Sequence, residues 1–84
     1  MNYELNKKRE EIQKIDQRLF LLLEQRFKKT DAIGKIKQKT GIKVEDKQRE
    51  QQLIALTMKH SKLDKAIIKK IYETIFYFSK KRQK

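Results

Sequence analysis

Between Leu5 and Lys39 the apolar residues recur at helical spacing without a break. Set ~100° apart, as in an α-helix, Leu5, Ile12, Ile15, Leu19, Leu22, Leu23 and Ile33 gather on one side of a single long helix. The pattern predicts that side to be buried. Arg26 and Lys37 fall near the middle of the same arc, and Arg9 and Asp16 on its flank with Leu23 and Phe27. Burying an unpaired charge costs several kcal/mol, so cations on an apolar stripe need an anionic partner. Either a bound dianion supplies it, or the side chains snorkel outward or pair with carboxylates inside a bundle.

At 1.5 Å per residue a helix of about 35 residues is roughly 50 Å long, longer than a compact domain of this size is wide. Part of its apolar face therefore needs cover from outside, and a second copy in a symmetric dimer is the cheapest cover. Gly34 lies inside the helical pattern, where it either permits a close backbone approach or is neutral. Thr40-Gly41 reads as the stop, with lysines in the preceding turn and Gly41 suited to a left-handed cap. After a short loop, Ile42 to Glu45, Asp46 is a candidate N-cap for a second helix. Arg49 and Glu50 stand in its first turn, Leu53, Ile54, Leu56 and Met58 give it an apolar face, and it fades near His60-Ser61.

Leu63-Asp64 starts a third helix running to about Gln83, with Leu63, Ile67, Ile71, Ile75 and Phe78 as its stripe, widened by Ile68 and Tyr72. Ser79 and Gln83 sit one turn apart at the polar edge, where periodicity alone favours water over a cavity. No strand-like alternation or repeat is visible. The expectation is one all-α domain over residues 1–84, with helices at about 4–39, 46–59 and 63–83: long first, short second, medium third.

The composition agrees. Eighty-four residues with no proline, two glycines, no cysteine and 40% charged residues suit long helices better than sheets. Without cysteine there is no disulfide framework and no thiolate metal site, which fits an intracellular, cytoplasmic setting. The lone His60 has no second His or Cys beside it, so no metal is expected. Apolar runs such as Leu19 to Leu23 are too short to span a bilayer, and Asn2-Tyr3-Glu4 is unlike a signal peptide, so no membrane partner is expected.

The net charge of +12, from 23 Lys and Arg against 11 Asp and Glu, raises nucleic acid or an anionic membrane as partners. The cations are spread over all segments, with modest clusters at Lys7-Lys8-Arg9, Lys28-Lys29 and Lys80-Lys81-Arg82, and no element interleaves them with aromatic residues. They read as solvated surface, and a positive surface gathers a small dianion faster. For chemistry the chain offers Arg9, Arg26, Lys37, Arg49, the acid Glu50 and the neutral groups Ser79 and Gln83, on or beside helix faces predicted to meet. It has no glycine-rich phosphate loop and no HExxH pattern. Such a set binds anions and hydroxyls and stabilises developing charge; it does not suit covalent catalysis.

Taken in order, Arg9, Ile15-Asp16, Arg26, Ile33-Gly34-Lys35-Ile36-Lys37, Val44-Glu45-Asp46-Lys47-Gln48-Arg49-Glu50, Ser79 and Gln83 resemble the all-helical, AroQ-class chorismate mutases. Any one piece is weak, but the ordered set with these separations is specific and covers nearly the whole chain. Lys43 stands where that family often has proline. The resemblance implies a three-helix chain intertwined with its twin in a six-helix homodimer with two active sites. It implies that Arg9 reaches across from the partner toward one substrate carboxylate and that Arg26 binds another as a bidentate fork. Lys37 and Gln83 would donate to the ether oxygen, Glu50 with Lys37 would hold the ring hydroxyl, and the Asp46 backbone, Arg49 and Ser79 would complete the pocket.

The reaction implied is the Claisen-type rearrangement of chorismate to prephenate, without cofactor or metal, in aromatic amino acid biosynthesis. Two rivals stand beside it. An isochorismate-pyruvate lyase of the same fold would use a similar cationic pocket, against which Glu50 and the full set ending in Gln83 favour the mutase. A basic helical module that binds nucleic acid or a partner helix would explain the charge but not the spacing of Arg26, Lys37 and Glu50. The chain fits both a whole enzyme and one domain of a larger polypeptide, and with Gln83 one residue from the last, its turn is expected to fray.

Overall fold

The computed structural model describes residues 2–83, which form three helices: α1, Tyr3–Thr40; α2, Lys47–His60; and α3, Lys65–Gln83. Among the described residues there is no strand, and no helix is long and apolar enough to cross a membrane. The first two helices fall within a residue of the expected limits, and local chemistry sets their ends. Asn2 caps α1, its side chain accepting from Leu5 N at 3.0 Å. At the other end Gly41 takes φ 73° and its N–H returns to the Lys37 carbonyl, the left-handed stop expected of glycine. Asp46 caps α2, accepting from Arg49 N at 3.0 Å. At α3 the expected start is two residues early. Asp64 is the cap and not the first turn: its carboxylate accepts from Ala66 N at 3.0 Å and its carbonyl from Ile68 N at 3.1 Å. His60 is exposed, as expected.

The third helix packs against both of the others. Against α2, the Tyr72 hydroxyl shares a 2.6 Å hydrogen bond with Thr57 Oγ1; within α3, Tyr72 stacks on Phe76 with ring centroids 5.0 Å apart. Against α1, the crossing is closest at Gly34. A Cβ there would lie 2.7 Å from Gln83 Cγ and 3.4 Å from Gln83 Cα. The helix pair can approach this closely only because the position has no side chain.

One turn away, Arg82 donates to both Asp31 oxygens at 3.0 and 2.7 Å and lies over the Phe27 ring. The hydrogen bond from Arg82 holds the Asp31 carboxyl below its ordinary value. Its contribution to stability is thus present above the ordinary carboxylate range and is lost as pH falls through the lowered value. These contacts hold the last turn of α3 in place, so Gln83, expected to fray, is helical and buried.

Within the single chain most of the apolar face of α1 is uncovered, which is the part expected to need cover from outside. Leu5, Ile12, Ile15, Leu19, Leu22 and Ile33 are all exposed in the single chain, from 44% for Leu5 to 63% for Ile15. The reason is length: α1 has 38 residues and α3 only 19, so α3 reaches only the C-terminal part of α1. The face of α1 that does pack carries Phe27, Thr30, Asp31 and Gly34. The stripe on α3 is likewise only partly covered within the chain, and the expected facing of Ser79 and Gln83 is corrected. Leu63, Ile67, Ile71 and Phe78 are exposed, whereas Ile68 is buried, Tyr72, Ile75 and Phe76 are half-buried, and Ser79 and Gln83 face inward and not to water. On α2, Leu56 is likewise exposed.

Candidate active site

The three helices and the loop after α1 enclose a cleft of about 450 Å³. From α1, residues Arg26, Thr30, Ile33 and Lys37 enter it on successive turns of one face, with Lys29 beside them. The loop supplies Val44 and Asp46, α2 supplies Arg49, Glu50 and Leu53, and α3 supplies Phe76, Ser79, Lys80 and Gln83. Its wall thus carries five cations, Arg26, Lys29, Lys37, Arg49 and Lys80, against two carboxylates, Asp46 and Glu50.

Five of these seven charges, Arg26, Lys37, Asp46, Glu50 and Lys80, are held by a nearby contact. Lys37 Nζ donates to the Val44 carbonyl at 2.8 Å, which fixes the ammonium at the cleft and ties the loop to α1. The Arg26 guanidinium lies 5.9 Å from the Phe76 ring centroid, a cation–π distance. Thr30 Oγ1 donates back to the carbonyls of Arg26 and Phe27, both at 3.0 Å, so its hydroxyl proton is used within α1. The Asp46 carboxylate is committed to capping α2. On the next turn Glu50 Oε2 pairs with Lys80 Nζ at 2.8 Å, and Lys80 also bonds Glu45 Oε1 at 3.3 Å. The hydrogen bond to Glu50 raises the Lys80 pKa above its ordinary value, partial burial opposes it, and Glu45 adds to the rise. Lys80 is a cation throughout the neutral range.

Three polar atoms buried here have no hydrogen-bond partner among the described residues: Arg26 Nη1, Ser79 Oγ and Gln83 Oε1. A buried polar group left unpaired costs about 1–3 kcal/mol, so three around one cleft mark a place prepared for a polar ligand. Among the described residues no protein group fixes the Gln83 amide, and a half-turn of its last bond presents Nε2 as a donor in place of the oxygen.

The cleft thus brings together Arg26, Lys37, Asp46, Arg49, Glu50, Ser79 and Gln83. Arg9 is not among them: it is exposed on the projecting part of α1, about 25 Å along the helix from Arg26 at 1.5 Å per residue. Sequence reasoning missed Lys29, Thr30 and Lys80. The one signal for Thr30 was its place a turn after Arg26. Lys80 was read as part of a solvated basic cluster, yet it is paired, and so is Arg82 two residues on.

Fold and cleft together define an all-helical protein with a cleft whose wall carries more cations than carboxylates. The comparison with known families is specific. A family model, chorismate mutase type II, matches residues 8–84. The chain belongs to that family, the AroQ class, and is an isomerase that converts chorismate to prephenate. No curated protein matches the chain.

Proposed function

We propose that each active site is this cleft completed by Arg9 of a second copy of the chain. The observation that carries the reading is the convergence of buried, unpaired Arg26, Ser79 and Gln83 atoms on a cleft with excess positive charge. A dianion offsets most of that excess. Arg26 forks one substrate carboxylate, and Arg9 from the second copy helps to hold the other. Lys37 and Gln83 donate to the ether oxygen. The free oxygen of Glu50, with Lys37, holds the ring hydroxyl, while the Asp46 backbone, Arg49 and Ser79 complete the enclosure.

Catalysis has two parts. Locking the enolpyruvyl arm over the ring removes conformational freedom before reaction, and such orientation is worth up to ~7–11 kcal/mol in general. Carbon–oxygen cleavage that runs ahead of carbon–carbon formation leaves negative charge on the ether oxygen, and preorganised donors bind that charge more tightly than the ground state. No group in this scheme needs to transfer a proton or form a covalent bond to substrate. We place the activity in the cytoplasm, in phenylalanine and tyrosine biosynthesis.

Surface area supports the second copy. The chain exposes 7764 Å² at 10.2 kDa, whereas a folded monomer of that mass exposes about 5,300 Å². The excess, with Leu5, Ile12, Ile15, Leu19 and Leu22 in it, is of the order that permanent dimers bury, roughly 2,000 Å² or more in total. Complementation tests the shared site. Arg9→Ala and Arg26→Ala chains are each expected to be nearly inactive. Unfolded together at equal amounts and refolded, they form heterodimers with one intact site, and about a quarter of wild-type turnover returns if pairing is random. No recovery in a mixture shown to contain heterodimers would contradict the shared site.

Gly34 gives a second prediction. Gly34→Ala adds a methyl that must displace Gln83 Cγ, while alanine favours the helix by up to ~1 kcal/mol, offsetting the crowding. The expected result is a kcat lowered about 10- to 100-fold through a misplaced Gln83, with a melting midpoint near wild type. Unchanged kcat would show that Gln83 is not held by this contact.

A further inference from the structure

The proposed scheme uses one oxygen of Glu50 and says nothing of what holds the other. Glu50 Oε2 lies 2.8 Å from Lys80 Nζ, and among the described residues its second oxygen has no protein partner. Both side chains line the cleft and are mostly covered, with 22% of Glu50 and 30% of Lys80 exposed. A glutamate carboxylate turns about its last bond unless a contact stops it. Here one ion pair holds the carboxylate by one oxygen.

The pair also decides the local field. Glu50 unpaired would set a negative charge beside a substrate that carries two, in a cleft where partial burial weakens solvent screening. Paired with Lys80 it remains a hydrogen-bond acceptor while its charge is balanced at contact distance. The second contact of Lys80, with Glu45, is longer at 3.3 Å, and Glu45 is 52% exposed. It fastens the loop and lies outside the cleft wall.

From this geometry we propose that Lys80 is a positioning residue for the mutase reaction, holding and charge-balancing Glu50 so that its free oxygen receives the substrate hydroxyl. The proposal rests on the chorismate mutase reading of the cleft. Because that hydroxyl is bound in ground state and transition state alike, loss of Lys80 is expected to act mainly on KM.

The test is steady-state conversion of chorismate to prephenate by wild type, Lys80→Met, Lys80→Arg, Glu45→Gln, Glu50→Gln and the Glu50→Gln/Lys80→Met double variant. Lys80→Met is expected to raise KM about tenfold with kcat within about threefold of wild type, and Lys80→Arg to recover most of the loss. Glu45→Gln stays within about twofold. In the Glu50→Gln background, Lys80→Met costs less than about twofold, because there is no longer a carboxylate to hold. An equal loss with or without the Glu50 carboxylate would overturn the proposal, since Lys80 would then touch substrate itself or merely support the fold. It is overturned as well if Lys80→Met behaves as wild type, or if Glu45→Gln reproduces its defect. A wild-type chain that leaves chorismate untouched would overturn the mutase reading first, and the role of Lys80 with it.

Discussion

Lys37→Ala and Gln83→Ala are each expected to lower kcat 100- to 1000-fold, about 3–4 kcal/mol in barrier, while the chain stays folded. The size follows from where the donors stand. The Val44 carbonyl holds Lys37 Nζ at 2.8 Å before substrate arrives, so the ammonium does not have to be recruited from water. Gln83 is 8% exposed, packed against Gly34, with its amide oxygen unpaired. In the proposed scheme both donate to an atom whose charge grows only as the carbon–oxygen bond opens, so their loss is expected in kcat more than in KM. Steady-state kinetics beside circular dichroism of each variant checks this, and near-normal turnover in either would remove that residue from the ether-oxygen role. An amide does not titrate, so the wild-type rate is expected to hold from pH 5 to 8. A steep fall over that range would mean that a protonated acid, and not Gln83, donates there.

Arg26→Ala is expected to lower kcat/KM by about 30-fold to several-thousand-fold, the equivalent of about 2–5 kcal/mol for truncating one partner of a buried charge pair. Arg26 is already desolvated: Nη1 is buried without a partner and the guanidinium stands beside the Phe76 ring. Removing it leaves a substrate carboxylate in a half-covered cleft with nothing to fork it. Arg26→Lys is expected to recover only part of the loss, because an ammonium keeps the charge but not the two parallel donors. Full recovery by lysine would show that charge alone is read at this position.

Much of this was legible in the sequence, for reasons that differ from residue to residue. Helix ends were readable because caps are local: Asp46 and Gly41 act on backbone groups within four positions of themselves. The tight crossing was one of two readings of a glycine inside a helical run. Seven of the eight residues singled out as an ordered set line one cleft, although each cation alone was ambiguous.

What was not legible depends on which face meets which. α1 and α3 carry more apolar surface than one chain can cover, so periodicity identified the apolar residues without saying which of them pack within the chain. Leu19 and Ile71 lie open while Gly34 and Ile68 are buried. Ser79 and Gln83 stood at a polar edge because their own helix says nothing of the cleft that α1 and α2 close against them. Lys80 was hidden for the same reason: its partners Glu50 and Glu45 are 30 and 35 positions away, and three consecutive basic residues look alike until the fold separates them.

The most direct measurement of the central claim is the loss of chorismate absorbance on adding the purified chain, beside the Arg26→Ala variant, with the products identified. The expected result is prephenate from wild type, sharply reduced in the variant. Failure of a folded dimer to consume chorismate, or turnover that Arg26→Ala leaves intact, would contradict the assignment of the cleft as a chorismate mutase site.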